Sequence, residues 1–384
     1  MKKFLYTILL STILTSVCVA EDGREILFKK IVIDPEFRSE GVAVDDFNRD
    51  GIQDIAVGSV VYDGPDWRPR PIRDTAEKFD PKGYSTSFWC LSWDLNQDGW
   101  PDLIVNRFPG QATEWWENSG ENGGPWTPHL MYDVMANENP IVVNLYGDNE
   151  RQILCGSLID GAMHAVATVP DESDPNAPWK LRSISGPLTA EMPFNHGLGC
   201  GDLNGDGRAD VLCIGGWWEA PEDPQDTRPW KYHHTSLGAD CAQMIVVDVN
   251  QDGRADVVSS SAHQYGFWWH EQNADGTFTT HGIDDTVSQL HSIMMVDLDG
   301  DGQREFVLGK RWQAHWEGDA GWADPSLLMY FDCLCQDGQV TWVKHVIDDD
   351  SGVGIQFEIA DVTEDGKLDI IVANKKGVVL FEQQ

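Results

Sequence analysis

The sequence predicts an all-β protein, a seven-bladed β-propeller whose N-terminal strand closes the last blade. Three observations predict it. A nine-residue acidic loop pattern recurs along the chain, each copy lies between short apolar runs, and the two chain ends hold complementary parts of one unit. Loop starts fall at residues 46, 94, 144, 202, 248, 297 and 361, so 46 to 64 residues separate successive copies. Periods of about 40 to 50 residues, built only of strands and turns, stack as four-stranded blades around an axis.

Six of the loops carry oxygen side chains at positions 1, 3, 5 and 9 and glycine at position 6. They are Asp46, Asn48, Asp50 and Asp54; Asp94, Asn96, Asp98 and Asp102; Asp202, Asn204, Asp206 and Asp210. The other three are Asp248, Asn250, Asp252 and Asp256; Asp297, Asp299, Asp301 and Glu305; Asp361, Thr363, Asp365 and Asp369. A hard cation that wants six or more oxygen ligands suits this pattern, so about six structural Ca2+ sites are expected. Position 12 holds Val57, Val105, Cys213, Ser259, Leu308 and Val372, none of them the bidentate Glu of an EF-hand. The copy at Asn144 is degenerate, with Tyr146 at 3, Asn149 at 6 and Gln152 at 9.

Apolar runs flank each loop, as in Met244-Ile-Val-Val before one and Val257-Val-Ser after it. Each calcium loop therefore closes a hairpin between the first and second strands of a blade. A third strand reads Glu114-Trp-Trp-Glu, Gly216-Trp-Trp-Glu and Phe267-Trp-Trp-His. A fourth runs from Trp126 to His129, Trp179 to Arg182, Trp230 to His233, Phe278 to His281 and Trp342 to His345. Phe28-Lys-Lys-Ile-Val-Ile-Asp34 has the fourth-strand pattern with no earlier strands, and Val378-Val-Leu-Phe-Glu ends on a third strand. Pairing the two leaves no open sheet edge. Asp63 to Lys82 fits no blade pattern, and its four prolines read as a long loop.

Residues 1–20 read as a secretion signal, with Lys2 and Lys3, an apolar run from Phe4 and Cys18-Val-Ala20 for cleavage. Residues 21–384 read as one propeller domain, secreted or periplasmic, with no second stretch able to span a membrane. The net charge of −36 excludes nucleic acid and anionic lipid as partners. A monomer with a carbohydrate or glycan ligand is expected. Cys200 and Cys213 flank one loop and could pair or remain small buried thiols.

Residues just before each first strand gather around the axis, on the face opposite the loops. Counting six back from each loop start gives Glu40, Phe88, Glu138, His196, Ala242, His291 and Ile355, with Asn139, Asn195, Asp240, Gln243, Gln289 and Gln356 beside them. The connection after each second strand reaches the same face. It brings Arg107, His263, Gln264, Tyr265, Lys310, Arg311, Trp312, His315, Lys375 and Lys376. A concave mouth lined with bases, aromatics and a few carboxylates suits a sugar. His129, His233, His281 and His345 lie on outer strands and read as structural, and the tryptophan pairs as packing between blades.

The repeats resemble the FG-GAP/VCBS propeller family, the integrin-like kind, over residues 28–384. His196-Gly197, Gly216-Trp-Trp-Glu-Ala-Pro221, Ser261-Ala-His263-Gln-Tyr-Gly266, Ser288-Gln-Leu-His291 and Gly309-Lys-Arg311 also look similar to the propeller domain of aldos-2-ulose dehydratases. That resemblance implies a sugar lyase or dehydratase, a carbon–oxygen lyase working by β-elimination. The reaction needs a base, a group to hold the enolate and an acid. His196 or His291 could be the base; Arg107, Lys310 or Arg311 could hold the enolate; Tyr265 or His315 could be the acid. Alternatively His196, His263, His291 and a Glu could ligate a transition metal such as Zn2+. The integrin-like resemblance implies a different function, a non-catalytic adhesion-type propeller that binds a glycan or protein.

Overall fold

The computed structural model describes residues 25–146, 151–157, 163–168, 176–185, 196–223, 226, 228–238 and 241–384. Residues 1–20, expected to be a secretion signal, and Asn149, Asn195 and Asp240 lie outside the described residues. The described residues form strands joined by turns, with two short 3-10 turns at Gly120–Asn122 and Trp316–Gly318. No helix among them is long and apolar enough to cross a membrane.

The strands form antiparallel meanders of four. Five stand as separate blades. The first holds Ala43–Asp45, Asp54–Val57, Val60–Asp63 and Arg68–Pro71. The second holds Trp89–Trp93, Asp102–Asn106, Thr113–Glu117 and Thr127–Tyr132, and the third Ile141–Val143, Gln152–Ser157, Met163–Thr168 and Lys180–Ser183. Leu290–Val296, Glu305–Lys310, Leu328–Gln336 and Gln339–Asp348 make another. The last is closed by the N-terminal strand: Phe357–Ala360, Asp369–Asn374 and Gly377–Gln383 are completed by Phe28–Asp34, with Phe28 opposite Gln383.

Between the third blade and the Leu290–Asp348 blade, the chain departs from the expectation of seven separate blades. Leu198–Gly201, Asp210–Cys213, Gly216–Glu219 and Lys231–His234 share one eight-stranded sheet with Cys241–Val247, Asp256–Ser261, Tyr265–Gln272 and Phe278–Ser288. The two innermost strands join in parallel, Gly199 opposite Met244 and Cys200 opposite Ile245. Glycine permits this. A Cβ on Gly199 would lie 2.8 Å from Met244 Cβ and one on Gly201 would lie 2.6 Å from Val246 Cβ. Side chains there would hold these two innermost strands apart.

Asp63–Lys82 is also corrected. Arg68–Pro71 is a strand, paired to Val60–Asp63 as the outer edge of the first blade. Proline lacks a ladder donor but is tolerated on an edge, where one side of the strand has no partner.

Apolar clusters lie between successive units rather than within one. Trp89, Ile104 and Trp115 pack on Ile153, Cys155 and Trp179 of the next blade. Val42, Ile55 and Tyr62 of the first blade pack on Ile371, Val378 and Leu380 of the last, which closes the ring. Cys200 and Cys213 are free thiols.

The six regular loops repeat one geometry. The position-1 carboxylate accepts backbone N–H bonds from position 6, and in most copies from position 5. Asp46 accepts from Gly51 and Asp50, Asp94 from Gly99 and Asp98, and Asp248 from Gly253 and Asp252. Position 6 needs a left-handed backbone, φ 91° at Gly51, 85° at Gly99 and 91° at Gly302, which glycine adopts without strain. The position-9 acid is buried and tied to backbone. Asp102 accepts from the N–H of Leu95, inside its own loop, and of Asn118, at the end of the third strand. Asp210 does the same with Leu203 and Ala220, and Asp369 with Val362 and Gln383.

Candidate functional site

The residues that enter the inner strands converge around the axis. Ile355 donates its N–H to the Glu40 carbonyl at 2.7 Å, Asn139 reaches the Ile355 carbonyl at 3.0 Å, and Gln356 accepts from the Cys90 N–H at 3.0 Å. Residues more than 200 positions apart thus share one small volume, placed there by the repeat. Ala242 lies on the strand Cys241–Val247.

Arg311 occupies the middle of this volume. It is 2% exposed, and its guanidinium donates to Glu138 at 3.1 Å and to Glu40 at 3.3 Å. Phe88 and Tyr84 lie against its face, with centroids 5.6 and 5.9 Å away. Burial opposes its charge, but Glu138 and Glu40 outweigh burial and hold Arg311 firmly protonated. Burial raises Glu40 above the ordinary carboxylate range, with Arg311 and Lys375 acting against that and Glu138 adding to it. Lys375 lies over the Tyr84 ring and donates to the Gln313 carbonyl at 2.9 Å; burial pulls its amine down to about 8.

Three imidazoles sit beside the arginine. The ring of His196 lies 4.7 Å from that of His263 and 5.8 Å from that of His291, and His263 and His291 are 5.4 Å apart. Each offers a ligand nitrogen within 4.8 Å of the others. Glu138 Oε2 is 3.8 Å from His196 Nε2 and 3.7 Å from His291 Nε2. His291 is buried and its Nε2 has no hydrogen-bond partner. Its pKa is pushed well below that of an ordinary imidazole, first by burial and then by Arg311 and the other two histidines. A neutral imidazole with a buried lone pair, two companions and a carboxylate is the donor set that a divalent transition metal takes.

His315 extends the group outward. Its ring lies 4.7 Å from that of His263, and its Nδ1 is 3.0 Å from Asp319 Oδ2. Backbone strain marks the same place. Gln289, Gln313 and Trp316 are non-glycine residues at φ 59°, 52° and 51°, conformations retained where the surroundings dictate them.

Three other expected site residues stand apart from this cluster. Arg107 is held by Glu114 at 2.8 Å. Lys310 is 0% exposed and donates to the backbone carbonyls of Gly321 and Asp324, which makes it a tie for the following loop. Tyr265 spends its hydroxyl on Asp324 at 2.6 Å. Asp319 and Tyr84 carry parts of the site that the sequence reading passed over. Asp319 follows His315 by four residues, a spacing that could have drawn notice. Tyr84 reaches the site from the proline-rich connection by donating to the Ala314 carbonyl at 2.8 Å, which only the fold reveals.

The outer-strand histidines are structural. His129 stacks on Trp115 at 4.3 Å and binds Glu117 at 2.7 Å; His233, His281 and His345 repeat this on Trp217, Trp269 and Tyr330 with Glu219, Glu271 and Asp332.

Repeats and fold together define a β-propeller arrangement. The model of the FG-GAP-like repeat matches residues 202–259 and 248–308. No curated protein matches the chain. Among solved structures, the chain is similar to the rhamnogalacturonan lyase YesW at 12% identity, covering 92% of this chain and 72% of that one with a TM-score of 0.45.

Proposed function

We propose that this propeller acts on a carbohydrate at its central face and removes water from a carbonyl-bearing sugar by β-elimination. The observation that carries the reading is the convergence of His196, His263 and His291 with Glu138 and Arg311. In this reading the three imidazoles and Glu138 would hold a divalent transition metal, and Arg311 holds the two buried carboxylates in place by its hydrogen bonds. When bound, the metal would supply a Lewis acid for the sugar carbonyl. His315 is the proton-transfer group. It is exposed at the mouth, and Asp319 fixes one of its ring nitrogens, leaving the other for the substrate. Its free nitrogen takes the proton from the carbon next to the carbonyl. That C–H pair becomes the new C=C bond as the β C–O bond breaks, and the departing hydroxide collects the proton as water.

The same reading places calcium in the six regular loops and the protein outside the cytoplasm. Asp297, Asp299 and Glu305 present ligand oxygens within 4.8 Å of one another, a donor set that fits a hard cation.

Metal analysis of the purified protein, together with ultraviolet detection of an unsaturated product from keto- and uronic sugars, tests the proposal. About six calcium ions, one zinc-like ion lost in His291→Ala, and product formation falling at least about 100-fold in His315→Ala support it. Sugar binding without turnover, weakened only gradually by the same changes, would instead make this a glycan-recognition module.

A further inference from the structure

We infer that Asp319 is the positioning residue of the central cluster: it determines which nitrogen His263 turns toward the other two histidines, and it anchors His315 by the same edge of its ring. The inference rests on the reading of that cluster as a metal centre.

Asp319 lies on the loop after the strand Glu305–Lys310, and its side chain is only 9% exposed. Three groups approach its carboxylate. His263 Nδ1 is 3.4 Å from Oδ2, His315 Nδ1 is 3.0 Å from Oδ2 and 3.2 Å from Oδ1, and Gln289 Nε2 donates to Oδ2 at 2.9 Å. A carboxylate only accepts, so both imidazoles carry their proton on Nδ1 where they meet it. For His263 that leaves the Nε2 lone pair as the one available to the cluster, the arrangement in which an outer carboxylate orients and strengthens a ligating histidine.

Gln289 extends the same control to His291. Its backbone carbonyl accepts from His291 Nδ1 at 3.3 Å and from the Arg311 N–H at 2.9 Å, while its side-chain amide holds Asp319. The left-handed backbone at Gln289 lets one residue face both ways. One carboxylate and one glutamine therefore orient two candidate ligands, and the same carboxylate sets the proton-transfer histidine beside them.

The test is the tautomer of each ring, read from long-range 1H–15N imidazole spectra of the purified metal-free protein. His263 should carry its proton on Nδ1 in the native chain and shift toward the Nε2–H form in Asp319→Ala, with His196 unchanged. Zn2+ titration of the same variant should show affinity at the three-histidine site reduced about 10- to 100-fold. Asp319→Glu should restore part of both. Asp319→Asn, which keeps the shape with a weaker acceptor, should give an intermediate tautomer ratio if Asp319→Ala folds poorly. An unchanged His263 tautomer in Asp319→Ala and Asp319→Asn overturns the proposal. So does loss of one of two zinc equivalents, which would make Asp319 a ligand. If the native protein takes up no transition metal, the functional reading fails while the spectra still decide the role of Asp319.

Discussion

At the residue scale, the site depends on a buried arginine shared by two buried carboxylates. Taking Arg311 away strips Glu40 and Glu138 of the guanidinium they bond directly and leaves Lys375 as the remaining nearby cation, which costs more than an intact buried pair contributes. Arg311→Met should therefore lower unfolding stability by about 3 to 5 kcal/mol in urea titrations. Adding Glu40→Gln and Glu138→Gln to that variant should return a large part of the loss. If the triple change is as unstable as the single one, packing rather than charge explains the arginine. A second residue gives stability a pH dependence. His164 is buried against Trp218, and burial alone lowers its pKa to about 4 from the ordinary 6.5. The unfolded chain gains a proton as pH falls through about 6.5 that the folded chain refuses until about 4, so stability present above 6.5 is lost between those values. His164→Phe should flatten the decline of urea midpoint between pH 6.5 and 4; an unaltered slope would move the effect to other groups.

At the scale of the element, a cross-strand device recurs. An aromatic residue on a third strand faces a histidine on the fourth, and a carboxylate two residues after the aromatic binds that histidine. Trp269, His281 and Glu271 form one copy, with Trp269 opposite His281 in the ladder. His281 is 41% exposed, so solvent screening leaves mostly the stacking, and His281→Ala should cost about 1 kcal/mol in thermal or urea unfolding. Alternation made these strands legible, because aromatics and polar residues occupy fixed faces of a pleated unit. The sequence carried no comparable mark for the join between the Leu198–Gly201 and Cys241–Val247 strands. That join depends on what two glycines leave out, Cβ atoms that would collide with Met244 and Val246. Arg68–Pro71 escaped for a related reason, since prolines remove the pattern by which an edge strand is read. The central site was legible in part. The loop frame pointed to Glu40, Glu138, His196 and His291, whereas side chains from longer connections could not be aimed. Arg107, Lys310 and Tyr265 accordingly find local partners, and Asp319 arrives from an irregular turn. Gly199→Val tests the join directly. It should part the eight-stranded sheet and lower stability by about 1 to 3 kcal/mol, while Gly282→Val, on an outer strand with ordinary backbone and nothing near its added Cβ, serves as the positional control.

Across the whole molecule, acidic loops and ring closure act on the same equilibrium. Every regular loop gathers carboxylates, and several position-9 acids are raised by burial, Asp102 and Glu305 to about 7 and Asp54 and Asp210 to about 6. Without cations these groups oppose the fold near neutral pH: a raised folded pKa contributes stability below the unfolded value that disappears as pH rises through the folded one. A bound divalent cation reverses that balance at each loop, and each site filled at about 100 times its Kd adds roughly 2.7 kcal/mol. The ring shares such gains, because its apolar clusters lie between units and the strand Phe28–Asp34 completes the last blade. If the loops hold calcium as proposed, stripping it should therefore shift one cooperative melting transition downward as a unit. In calorimetry the shift should be larger at pH 7.5 than at pH 5.5, where the raised acids have taken up protons and repel less. A melting temperature indifferent to chelator at both pH values would remove calcium from these loops. A transition that splits in two would show instead that the eight-stranded sheet and the separate blades hold their stability independently.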